Sequence, residues 1–297
     1  MLKFKNSFIF CLSLTTLISF GSARAENACQ RNDFHKAAWG ISKSGRNKML
    51  SDATLPGNLS VSSGEIRERL HNDIKKTYGG ENGSFGTASS VAAKIQWAAE
   101  CTGNDFTMLA AIIKGESLYC NLLYNKTGGD SGCGQFTSAS MNFFKNQLRV
   151  SGRKENGHPR LKQTIEELMV RCAPGSSFVE ENSLAQFFDQ SKDKIRQDLR
   201  TGKNISLDIL STAIFLKFYY AVSGFYYDAN DPNPGALSRY NGGGVENYGT
   251  MAYNKAIKID AQVCSKDEDY LERMQETACT LGDEATACSM NTETFEI

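Results

Sequence analysis

Glu116 closes the apolar run Leu109–Cys120 (LAAIIKGESLYC), and Gln135 follows nineteen residues later in the segment SGCGQFT. A third segment, Arg239-Tyr240-Asn241-Gly242-Gly243-Gly244, lies far downstream. One carboxyl at the end of an apolar helix, facing a glycine-rich loop, has the makings of a general acid. Partial burial and the negative end of the helix dipole both disfavour its ionised form and raise its pKa. An acid that protonates a glycosidic oxygen near neutral pH needs that shift. Periodicity alone would leave Glu116 an ordinary solvent-facing carboxylate. The loop changes the balance, because Gly128, Gly129, Gly132 and Gly134 let backbone approach a ligand closely. Gln135 and Phe136 add an amide and an aromatic ring, which are the group types that bind sugars.

Helices must position these groups. Ile66, Leu70 and Ile74 recur at helical spacing and predict a helix over 64–76. Residues 79–87 read as a linker. Ser89 or Ser90 is expected to cap a helix that Gly103 stops, and Asp105 to cap the next, which ends in Glu116-Ser117. Helices are also expected over 138–148, from Pro159 to Cys172, over 180–200 as one charged amphipathic element, and near 248–260. The run 207–223 is almost wholly apolar and predicts the central buried helix. Alternating strand patterns are scarce, so the fold class is mainly α.

The quoted motifs carry a family resemblance. Gly115-Glu116-Ser117, then Gly132-Cys133-Gly134-Gln135-Phe136-Thr137, then Arg239–Gly244, resemble the soluble lytic transglycosylases and their goose-type lysozyme relatives. In that family an apolar helix ends in Glu-Ser, a glycine segment ends in Gln, and a later helix precedes Tyr-Asn-(Ala/Gly)-Gly. The likeness runs from about Ser90 to Ala261. It implies a lysozyme-like fold with a helical insertion over 150–206. It also implies action on peptidoglycan, with Glu116 cutting the bond between N-acetylmuramic acid and N-acetylglucosamine without a cofactor. It assigns Ser117 and Gln135 to the acid's pocket, Tyr240 to orienting Glu116 or touching sugar, and Asn241 to sugar binding; Phe136 would join them. Two departures stand out. The family's usual Gly-Leu-Met-Gln is here Gly134-Gln135-Phe136-Thr137, and glycine replaces the usual alanine after Asn241.

Asp130, in GGDSG, is placed much as an aspartate that positions water in goose-type lysozymes. As a second acid it would make the reaction hydrolytic; as a turn residue beside glycine it would do no chemistry. A third reading is a wall-binding protein that keeps the scaffold without turnover. Most aromatics of 215–227 are expected in the core.

Residues 1–25 read as a signal peptide: Lys3 and Lys5, a short apolar core, then Ala23-Arg24-Ala25. Residues 26–88 would form an N-terminal extension, 89–261 the catalytic domain and 262–297 an acidic tail. The formal charge of the 297 residues is zero, but the chain after residue 25 carries −3, concentrated in that tail. No stretch after residue 25 is long and apolar enough for stable membrane insertion. Without a dense basic and aromatic patch, nucleic acid is not an expected partner.

Of nine cysteines, Cys11 lies in the signal. The even remainder points to disulfides and an exported chain, periplasmic or secreted. Cys120 with Cys133 would close the loop after Glu116, and Cys279 with Cys288 would pin the tail. No Cys-x-x-Cys or His-Glu-x-x-His motif occurs, so no metal site is expected.

Overall fold

The computed structural model describes residues 28, 29, 32, 63–149, 171, 172, 177, 178, 186–230 and 235–260. The signal segment, the helix expected after Pro159, the Cys279–Cys288 pairing and the tail 262–297 lie outside these residues.

Helix α1 spans Ser63–Tyr78 and buries Ile66, Leu70 and Ile74, the apolar positions of its periodic face. Residues 79–87 are more than a linker. They form a small antiparallel hairpin, Asn82–Gly83 (β1) with Gly86–Thr87 (β2), in which Asn82 faces Thr87. Thr87, rather than Ser89 or Ser90, caps the next helix: its side chain accepts from the Ser90 N–H. That helix, α2, spans Ala88–Thr102 and ends at Gly103. Asp105 caps α3, Phe106–Ser117, accepting from the N–H groups of Thr107 and Met108. Every residue from Thr107 to Ile113 is buried, so α3 is core on all sides until its last turn.

Helix α4 spans Ser138–Arg149. The single charged helix expected over 180–200 is broken. Residues 186–189 are helical, and Ser191 then caps a separate helix α5, Lys192–Arg200, through the Lys194 N–H. A serine that can satisfy a helix's first N–H groups competes with helix continuation. Helix α6, Ile205–Ser223, is the central element. Its buried face includes Ile209, Leu210, Ala213, Ile214 and Leu216. A short helix α7, Ala236–Tyr240, and a last helix α8, Tyr248–Ile259, complete the fold.

Helix α8 packs along α3, α1 along α2, and α6 against α2, α3 and α7. The core does not begin at residue 89: Leu70 and Ile74 of α1 share one apolar cluster with α2, α3 and α6. Polar ties connect the layers. The buried Asn104 amide donates to the Ala213 carbonyl at 2.7 Å, and buried Lys217 donates to the Gly103 carbonyl at 2.8 Å. Burial pulls the Lys217 ammonium down to about 7. The described protein is mainly helical. Cys120–Cys133 pair as expected, and Cys101 pairs with Cys172. Disulfides fit an exported chain. No helix among the described residues is long and apolar enough to cross a membrane.

Candidate active site

Glu116 stands in the last turn of α3, where the core helix reaches the surface. The chain then turns sharply. Leu118, Tyr119 and Cys120 all take positive φ, at 52°, 60° and 65°. Such a conformation costs a non-glycine residue about 1–2 kcal/mol, so three in succession need restraint. Ser117 supplies part of it. Its hydroxyl donates to the Ile113 carbonyl at 3.0 Å and accepts from the Cys120 N–H at 2.9 Å. Tyr78 donates to the Tyr119 carbonyl, and the Tyr119 hydroxyl to Asp73. Asp73 also pairs with Lys114 at 2.7 Å. Ser117 is thus buried support for the helix end rather than a pocket wall.

The acid's direct partner is Tyr248, the first residue of α8, whose hydroxyl donates to Glu116 Oε1. Burial raises the Glu116 pKa above that of an ordinary glutamate. The Tyr248 hydrogen bond lowers it, the nearby negative charge of Asp130 raises it, and Lys255 of α8 lowers it. The net direction is upward, as a general acid requires. Tyr248→Phe removes one of the lowering contributions. It is therefore expected to move the Glu116 titration midpoint further up, measured by carbon-13 NMR of labelled glutamate. A midpoint that stays or falls would show that the hydroxyl does not bond the carboxylate.

The glycine segment folds under this acid. Ser131 bridges both Tyr124 and Phe136, and the Gly132 N–H donates to the Leu123 carbonyl at 2.8 Å. Two positions admit nothing larger than glycine. A Cβ on Gly132, at φ 84°, would lie 2.6 Å from Asp208 Oδ1. One on Gly134 would lie 2.4 Å from the Tyr240 hydroxyl and 2.5 Å from Thr212 Oγ1. Helix α5 holds the front of the loop: Arg200 donates to Ser131 Oγ and to the Gly129 carbonyl, both at 2.8 Å, and Arg196 also donates to Gly129.

Within that frame the expected site residues divide. Asp130 sits close enough for its charge to act on Glu116. Its Oδ2 accepts from Asn125 at 3.2 Å, and its buried Oδ1 has no hydrogen-bond partner among the described residues. Tyr240 is buried and donates to the Gly134 carbonyl at 3.0 Å, so it orients the loop, while Tyr248 orients the acid. Burial first, then the Glu116 charge, raises the Tyr240 pKa, which places the two near each other. Gln135 spends its amide on the Leu122 and Gly132 carbonyls, at 3.1 and 2.7 Å. Asn241 accepts from the Val245 N–H at 2.6 Å and closes the glycine turn.

Phe136 does not line a sugar site as expected. It is 1% exposed and packs on Phe144 and Phe215, so its ring has no face for a sugar.

A cavity of about 590 Å³ opens beside Tyr248, walled also by Tyr219, Tyr227, Arg239, Gly242 and Gly243. Tyr248 therefore faces both the acid and the cavity. Sequence reasoning missed this residue, because it stands outside every motif. Its place as the first residue of the last helix was the available signal.

Set against models of protein families, curated proteins and solved structures, the chain matches none of them. The functional reading therefore rests on the residues and their geometry.

Proposed function

We propose that the protein is an exported enzyme that cleaves peptidoglycan glycan strands as a lytic transglycosylase, with Glu116 as the reacting group. The observation that carries this is the Glu116 carboxyl itself: half-buried, pushed towards its protonated form, and held by Tyr248, which also walls an open cavity.

In the first step Glu116 gives its proton to the glycosidic oxygen, and the bond from that oxygen to the N-acetylmuramic acid C1 breaks. The acetamido oxygen of the same sugar supports the positive charge at C1, so no second carboxylate is required. In the second step the Glu116 carboxylate takes the proton of the 6-hydroxyl. That oxygen bonds to C1 and closes a 1,6-anhydro ring, restoring protonated Glu116. Tyr248 suits both steps: its hydroxyl steadies the carboxylate between them and leaves the other oxygen to exchange protons. The aromatic and polar cavity offers room for a sugar ring beside Tyr248, the acid's partner.

Hydrolysis on the same scaffold is the second reading, and one observation favours it. Asp130 Oδ1 is buried, lacks a hydrogen-bond partner among the described residues, and belongs to a carboxylate that Glu116 senses. A second carboxylate within electrostatic reach of the acid is the group that hydrolysis uses to activate a water.

Mass spectrometry of products released from peptidoglycan separates the readings. Products lighter than hydrolysed muropeptides by one water are expected, with Asp130→Asn changing their yield little. Reducing products that Asp130→Asn suppresses by about a hundredfold would make it a lysozyme. Binding without any release would leave a wall-binding protein.

A further inference from the structure

Asp208 lies on α6, wholly enclosed, directly behind the glycine loop. Its Oδ2 accepts from the Cys133 N–H at 2.8 Å, and the Gly134 N–H bonds it as well. Its Oδ1 has no partner among the described residues and lies where any side chain on Gly132 would have to go. A buried acid is costly to keep. Burial raises its pKa to about 8 despite those two donors. The apolar neighbours Leu207, Ile209 and Leu210 show that α6 has no general need of a carboxyl there.

The connections give it a use. One turn along α6, Thr212 donates to the Asp208 carbonyl at 3.0 Å and stands beside the Tyr240 hydroxyl, which donates to the Gly134 carbonyl. Arg196 and Arg200 hold the front of the loop at Gly129 and Ser131. Asp208 holds its back at Cys133 and Gly134. Asp130, the loop residue whose charge reaches Glu116, lies between the two front attachments, two residues ahead of the Gly132–Gly134 backbone that Asp208 holds.

We propose that Asp208 is a positioning residue for the acid: its carboxyl fixes the depth of the Gly132–Gly134 backbone, and so the place of Asp130 and of the Gly134–Tyr240 contact around Glu116. Its bearing on turnover rests on the reading of Glu116 as the reacting acid. Its bearing on the environment of Glu116 does not.

The test titrates Glu116 by carbon-13 NMR in the full chain, with the signal assigned by its loss in Glu116→Gln. Two variants of Asp208 are compared with wild type. Asn keeps an acceptor for both N–H groups and puts a neutral amide where burial already favours the neutral acid. Leu keeps the volume and removes the acceptor. Asp208→Asn is expected to retain the Glu116 midpoint and turnover within about twofold. Asp208→Leu frees the loop, lets water reach Glu116 and withdraws Asp130. Both changes drop the midpoint towards the ordinary glutamate value. Turnover then falls about a hundredfold, the cost of a displacement near 1 Å, with KM little changed.

Gly132→Ala displaces the loop from the opposite side of the same contact. It serves if Asp208→Leu does not fold, and its midpoint should move in the same direction. A folded Asp208→Leu or Gly132→Ala with the wild-type midpoint overturns the proposal, as does an Asp208→Asn that behaves like Leu. If the midpoints move as expected while wild type releases nothing from peptidoglycan, the transglycosylase reading fails and Asp208 keeps its role.

Discussion

Glu116→Gln is expected to reduce product release from peptidoglycan by about 10⁴-fold, the upper end of what acid–base groups contribute. The upper end applies because the proposed mechanism asks one carboxyl to serve both steps. Gln has the same shape, and its Oε1 can still accept from Tyr248, so the fold and the cavity should persist. The same substitution should stabilise the protein at alkaline pH. The folded-state pKa of Glu116 lies above the ordinary 4.5, because burial penalises the charge. Below 4.5 the group is protonated in folded and unfolded chains alike and costs nothing. As pH rises from 4.5 through the raised value, the unfolded chain ionises first and wild type loses stability. Gln carries no such penalty. Its melting temperature should equal that of wild type in acid and exceed it increasingly across that window. An inactive variant with the wild-type stability profile would mean that Glu116 is an exposed carboxylate. A fully active one would remove it from the chemistry.

The reasons that made Glu116 legible in the sequence also mark where legibility stopped. Its helix is written in local chemistry: Asp105 as cap, an apolar run, then Gly-Glu-Ser. Capping and burial patterns act over a few residues, so they survive in a linear reading. The same holds for α1, α6 and α8, whose ends fall within a few residues of expectation. The Cys120–Cys133 pairing was readable because the two residues flank one loop. What failed was long-range. Phe136 looks like a sugar platform beside Gln135, yet Phe144 of α4 and Phe215 of α6 claim the space around it. Tyr248, rather than Tyr240, bonds the acid, because α8 packs along α3 while Tyr240 is turned to the Gly134 carbonyl. Asp208 carries no motif at all. It acquires meaning only when α6 passes behind residues 132–134.

The two disulfides that join described residues should separate stability from site geometry. Replacing Cys101 and Cys172 by Ser opens a loop of 71 residues, for which chain entropy predicts a loss of about 4 kcal/mol. Replacing Cys120 and Cys133 opens one of 13 residues, with a smaller expected loss of about 3 kcal/mol. Effects on activity should run the other way. The shorter bridge ties the last of the three positive-φ residues after Glu116 to the loop that Asp208 supports. Without it the turn 118–120 can relax towards ordinary φ, and the end of α3 loses the burial that raises the Glu116 pKa. The Cys120/Cys133 variant should therefore lose turnover about tenfold or more while still folded, with a lowered Glu116 midpoint; a tenfold change corresponds to about 1.4 kcal/mol of transition-state stabilisation. The Cys101/Cys172 variant should unfold at lower denaturant yet turn over normally below its transition. Denaturant unfolding and turnover measured on both variants decide the matter. If activity instead follows stability alone, the bridge beside Glu116 is a fastener for the chain, and the restraint on the acid lies with Ser117 and the Asp73 cluster.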